Sequence, residues 1–82
     1  MSKKRENEGP NLTVALTERE KECLILVAQG KGSKEVGRAL GVTTSCVNFH
    51  VLNVQRKLMA INRTHAVARA IALRLIPSDS AE

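Results

Sequence analysis

The chain has no tryptophan or tyrosine and a single phenylalanine, Phe49, among its 82 residues. Sheet-rich domains rely on aromatic and β-branched side chains to cover their pleated faces, so this scarcity points to a helical fold packed with Ala, Val, Leu and Ile. Cysteine is nearly as rare. Cys23 and Cys46 stand alone, with no paired spacing and no histidine at ligand distance in sequence. That excludes a disulfide framework and a metal site, and leaves two core or half-buried thiols of a reducing compartment. No apolar run approaches the ~20 residues of a membrane span, and the N-terminus lacks the apolar centre of a signal peptide. A soluble cytoplasmic protein with no membrane partner is expected.

Acid is missing from one part of the chain. From Ser33 to Ile76 the cations are Lys34, Arg38, Arg56, Lys57, Arg63, Arg69 and Arg74, against Glu35 alone, a net of +6 where the whole chain carries +5. Such one-sided charge is the footprint of a polyanion. A domain of this length buries only about 60% of the surface of its unfolded chain, which leaves little room for an enzyme cleft. His50 and His65 have no suitably spaced His, Cys or carboxylate beside them, so no general base, metal ligand or cofactor site is expected. His50 reads as a packing residue and His65 as an exposed one.

Residues 1–12, with Lys3, Lys4, Arg5, Gly9 and Pro10, offer nothing to bury and read as a disordered tail or linker. The domain proper is expected over 13–76 and a frayed tail over 77–82. A first helix over 18–29 opens at Thr17, where T-x-x-E gives a capping box with Glu20, and stops at Gly30. Leu12, Val14 and Leu16 are expected to fold over it. Ser33 caps a short second helix over 34–40, Gly41 takes the positive φ that ends it, and Thr43 caps a third over 44–58. Two helices joined by so tight a turn form a helix-turn-helix, and Gly37 provides the small residue where their backbones cross. Glu35 is expected to pair with Arg38 or a neighbouring helix. Thr64 or Asn62 caps a fourth helix over 64–75, stopped by Pro77. That helix is apolar nearly all round, so part of it should meet another molecule.

The third helix, TTSCVNFHVLNVQRKL from Thr43 to Leu58, has two unlike faces. Val47, Val51, Val54 and Leu58 recur at helical spacing and should face a core. Ser45, Asn48, Phe49, Leu52, Gln55 and Arg56 lie on the other side, without an acid among them. That side reads as a face laid against DNA, with the Asn48 amide able to give and accept a bond with adenine and Phe49 and Leu52 placed for thymine methyls.

Taken together, LTEREKECL, Gly30, Ser33, Glu35, VNFHVLNVQRKL and NRTHAVARAIALRLI resemble the LuxR-type, or GerE-like, helix-turn-helix domain of bacterial transcription regulators, most of all its quorum-sensing branch. The resemblance runs from about Leu16 to Ile76. It implies an all-α, four-helix fold and a double-stranded DNA partner. Thr44, Ser45, Asn48, Phe49 and Leu52 fall on the groove-facing side, and Lys34, Ser45, Arg56 and Lys57 where phosphate contacts are expected. Departures from the family are Gly37 for a usual Ala, Met59 and Ala60 for a common Gly-Val pair, and Arg74 for a frequent Gly. A sensory domain usually precedes this one in the family.

The expected function is sequence-specific regulation of transcription. The third helix enters the major groove, and the fourth pairs two copies through Val67, Ala70, Ile71 and Arg74, on an inverted repeat with half-sites about 34 Å apart. A heterodimer with a related regulator and contact with RNA polymerase are further expected partners. The rival class is an interaction protein without a sensor, which pairs through the fourth helix with a full-length regulator and inhibits it. No enzymatic activity is expected.

Overall fold

The computed structural model describes residues 14–77, so the expected tail over 1–12, Leu12 and the end of the chain beyond Pro77 lie outside the described residues. Four helices follow one another: α1 over Glu18–Ala28, α2 over Ser33–Leu40, α3 over Thr44–Leu58 and α4 over Arg63–Ala72. No strand occurs among the described residues. The first three match the expected spans to within a residue at each end, the usual fuzziness of helix boundaries.

Each start has a local cause. Thr17 Oγ1 accepts from the Glu20 amide at 3.1 Å while Glu20 Oε1 accepts from the Thr17 amide at 3.0 Å, the capping box read in the sequence. Thr43 Oγ1 accepts from the Cys46 amide at 3.0 Å and opens α3. Of the two residues that could cap α4, Asn62 does so, its Oδ1 accepting from the His65 amide at 2.8 Å. The start of α2 departs from expectation. Ser33 is its first helical residue, not its cap; the cap is Gly32, whose amide donates to Glu35 Oε1 at 3.0 Å. Glu35 thus ties off its own helix end, and the expected pair with Arg38 gives way to this local bond.

The core lies in two clusters, and α3 belongs to both. Val47 and Val51 join Cys23 and Val36, binding α3 to α1 and α2. Val54 and Leu58 join Leu16, Leu24, Ala66, Ala70 and Ile76, binding α3 to α1 and α4. The single apolar stripe is therefore split between two sites, each Val or Leu worth about 1.5–3 kcal/mol on burial. Where α2 meets the start of α3 the backbones nearly touch: a Cβ built on Gly37 would lie 2.6 Å from the Val42 carbonyl oxygen. No side chain fits there without movement.

The helices also end alike. Gly30, Gly41, Met59 and Arg74 follow the four helices with φ of 94°, 73°, 56° and 61°. In each case the next amide reaches back five residues, Lys31 to the Leu26 carbonyl, Val42 to Gly37, Ala60 to Gln55 and Leu75 to Ala70, at 2.8–3.1 Å. This left-handed stop satisfies carbonyls that a helix end leaves orphaned. It also corrects the expected end of α4. That helix stops at Ala72 rather than at 75, because Arg74 turns left-handed well before Pro77.

Candidate nucleic-acid interface

The exposed side of α3 is where its burial pattern leaves it. With Val47, Val51, Val54 and Leu58 turned inward, Thr44, Ser45, Asn48, Phe49, Leu52 and Arg56 all face solvent. Phe49 is 60% exposed and Leu52 42%. Two apolar side chains are thus held in water on a helix whose other apolar residues are buried. The core does not use them, so both are available to a partner. Gln55 and His50 are half-buried at the margins of this face, and the His50 ring meets the Phe49 ring edge-on with centroids 5.8 Å apart. Lys34, at the start of α2, is exposed.

Lys57 behaves differently from the other expected phosphate residues. Its ammonium lies 2.7 Å from Glu20 Oε1 and 3.4 Å from the Ala15 carbonyl, so it bridges α3 to the start of α1. The Glu20 side chain is only 5% exposed. Burial pushes the Glu20 pKa up, but the hydrogen bonds from Lys57 and Thr17 and the positive charges of Lys57 and His50 together outweigh it and hold the carboxyl below its usual range. A cation so engaged acts as a structural tie between α3 and α1, a role its place in the basic helix end did not indicate. Two arginines play similar parts: Arg69 Nε donates to the Leu58 carbonyl at 2.6 Å, and Arg19 Nη1 to the Leu40 carbonyl at 3.4 Å, each meeting the negative end of a helix.

One grouping escaped sequence reasoning. Ser33, Asn48 and Arg63, from the starts of α2 and α4 and from the exposed side of α3, converge on one another. Ser33 Oγ donates to Asn48 Oδ1 at 2.5 Å, and Arg63 Nη2 donates to Ser33 Oγ at 3.0 Å and to Asn48 Oδ1 at 3.2 Å. Residues 15 and 30 positions apart carry no local signal of such a contact.

The residues expected on the α4 pairing surface differ in their exposure. Ala70 is fully buried in the domain's own core, beneath α1 and α3, and is withdrawn from any interface. Val67 and Ile71 are half-buried, and Arg74 is exposed but lies past the helix end. The outward side of α4 is instead centred on Ala68, flanked by Thr64 and Ala72. His65, expected to be exposed, is half-buried, and its Nδ1 accepts from the Ile61 amide at 3.0 Å. Cys23 is buried and Cys46 half-buried, both as free thiols, and burial pushes the Cys23 pKa up. No cluster of potential metal ligands occurs among the described residues.

Comparison with known proteins agrees with the four-helix fold. Residues 14–70 match the family model of bacterial regulatory proteins, luxR family. The chain is 46% identical over 67 residues to the transcriptional activator protein SolR of Ralstonia nicotianae, covering 82% of this chain and 28% of SolR. It is 47% identical over 66 residues to the transcriptional activator protein PhzR of Pseudomonas fluorescens, covering 80% of this chain and 27% of PhzR. The chain therefore spans little more than a quarter of the length of these relatives. The solved structure of the transcription factor GerE superposes with a TM-score of 0.72 at 26% identity, over 74% of this chain and 91% of that one. By its residues, its helices and its relatives, the chain belongs to the luxR family of bacterial regulators and carries that family's helix-turn-helix DNA-binding domain, not an enzyme.

Proposed function

We propose that this chain recognises double-stranded DNA by laying the exposed face of α3 in the major groove, and that two copies bind an inverted repeat. The observation that carries the reading is the face itself: Thr44, Ser45, Asn48, Phe49 and Leu52 exposed together, opposite a fully buried stripe. Asn48 supplies polar base contact, Phe49 and Leu52 apolar contact with thymine methyls, and Lys34, Ser45 and Arg56 grip the flanking phosphates. An interaction protein that merely occupied a partner through α4 has no need of two solvent-exposed apolar side chains on α3, which favours DNA binding over the inhibitor reading.

Pairing runs through the outward face of α4, where Val67 and Ile71 border the small exposed Ala68. Small residues allow two helices to approach closely, and a twofold pair would set two copies of α3 about 34 Å apart. The names of SolR and PhzR support activation as the output, with RNA polymerase as a further partner. No helix among the described residues is long and apolar enough to cross a membrane, in keeping with a cytoplasmic site of action.

The test is a fluorescence-anisotropy titration of an inverted-repeat duplex selected by the chain. Each phosphate contact contributes about −0.9 to the slope of log K against log salt. Binding is expected to weaken steeply between low and moderate salt, and a flat dependence would overturn the phosphate grip.

A further inference from the structure

The Ser33, Asn48 and Arg63 cluster determines which end of the Asn48 amide is available to a ligand. A guanidinium carries only donors, so the Asn48 atom facing Arg63 has to be the oxygen. Asparagine oxygen and nitrogen are otherwise easily exchanged, but this partner fixes them. Arg63 Nη2 also donates to Ser33 Oγ, so the hydroxyl directs its own hydrogen to Asn48 Oδ1. Two donors therefore converge on that oxygen, at 2.5 and 3.2 Å. The end left for a ligand is the NH2 group, which has two donors and no acceptor.

The four base pairs differ in how they meet such a group. In the major groove guanine shows two acceptors, N7 and O6, whereas adenine shows the acceptor N7 beside the N6 amino donor. Thymine shows one acceptor and cytosine a donor. An amide free to turn can match adenine with one bond given and one accepted. An amide with its oxygen held inward sets a donor against adenine N6, and only guanine meets both of its hydrogens.

We propose that Arg63 and Ser33 lock the Asn48 amide with its oxygen inward, so that Asn48 reads guanine in preference to adenine. This deepens the groove reading above and rests on it. Arg63 is here a positioning residue, acting on the base through Asn48.

Selection of bound sequences from random duplex DNA tests the idea, using the wild-type chain beside Asn48→Ala, Arg63→Ala and Ser33→Ala. The wild type is expected to favour guanine over adenine by about tenfold at one position of its site, and Asn48→Ala to flatten that position alone. Arg63→Ala frees the oxygen to turn outward and is expected to move the same position towards adenine, leaving the others unchanged. A loss of affinity alone would not produce that exchange. Ser33→Ala removes one of the two donors without altering α4, and is expected to narrow the guanine preference even if Arg63→Ala folds poorly. Adenine selected by the wild type at the Asn48-dependent position, or an unreduced guanine preference in both partner variants, overturns the lock while groove reading stands. If Asn48→Ala changes no position, both fall.

Discussion

Replacing Lys57 by Met keeps the bulk of the side chain and removes the ammonium that lies 2.7 Å from Glu20 Oε1. The Glu20 carboxylate then stays nearly buried, with the Thr17 amide at 3.0 Å as its remaining bond. Loss of a hydrogen bond to a charged group costs about 1.5–3 kcal/mol. The Lys57 side chain is itself 37% exposed, so water recovers part of that loss, and about 1–2 kcal/mol is expected. In a domain of this size each kcal/mol lowers the melting temperature by about 4–8 °C, so the variant should melt roughly 5–15 °C early.

Glu20→Gln separates the charge from the cap, because glutamine also serves at the third position of a capping box. A double-mutant cycle on Lys57→Met and Glu20→Gln then yields the coupling of the pair. Its pH dependence follows from the depressed Glu20 pKa. A carboxylate whose folded pKa lies below its unfolded value contributes stability that is fully present above the unfolded pKa and lost as pH falls through the folded one. The advantage of wild type over Glu20→Gln should therefore hold from neutral pH down to the usual carboxylate range and shrink below it. DNA binding offers the complementary measurement. Arg56→Met or Lys34→Met should reduce the salt slope by about 0.9, and Lys57→Met should leave it unchanged. A coupling near zero, together with a lost unit of slope at Lys57, would refute the ion pair and return Lys57 to the phosphate.

Three further perturbations test the frame. Gly37→Ala adds a Cβ 2.6 Å from the Val42 oxygen; the clash, about 1–3 kcal/mol, opposes a gain of about 1 kcal/mol in helix propensity, so a net loss of up to about 2 kcal/mol is expected by thermal melting. Gly37→Leu should not fold, and an unaltered melting temperature would show the crossing to be looser than it looks. Met59→Gly and Arg74→Gly should each stabilise by about 0.5–1 kcal/mol in urea unfolding, since each relieves a left-handed backbone at an exposed site, and a lower midpoint in either would refute that origin. Ala68→Glu should give folded monomers in sedimentation while Ala70→Glu unfolds the chain; a dimer of unchanged mass in Ala68→Glu would exclude the α4 pairing face.

What the sequence made legible was local. The Thr17 and Glu20 box, the Thr43 cap and the α3 stripe each lie within a few turns of one helix, where spacing alone determines who meets whom. Gly37 was legible because a tight turn needs a small residue close by. The tertiary ties were hidden for a physical reason: each member already had a sufficient local explanation. Glu20 reads as an acid suited to a helix N-terminus, and Lys57 as one cation of a basic helix end; only the fold reveals a bond between residues 37 apart. Ser33 passes for a cap and Arg63 for one more surface charge in the same way.

The end of α4 shows how such an explanation can mislead. All four helices stop with a left-handed residue, and where that residue is Gly30 or Gly41 the stop could be read directly. At Met59 the loop that follows still marks the end of α3. At Arg74 only the family's frequent Gly hints at a stop, while the apolar run continues through Leu73, Leu75 and Ile76 as though the helix went on. Those last residues are apolar for another purpose: Ile76 turns back into the core beside Leu24 and Leu58, and Leu75 packs against the same cluster. Burying Ile76 contributes about 1.5–3 kcal/mol. Holding a non-glycine residue left-handed costs about 1–2 kcal/mol, so the hook over the core outweighs the strain at Arg74 and the helix ends early.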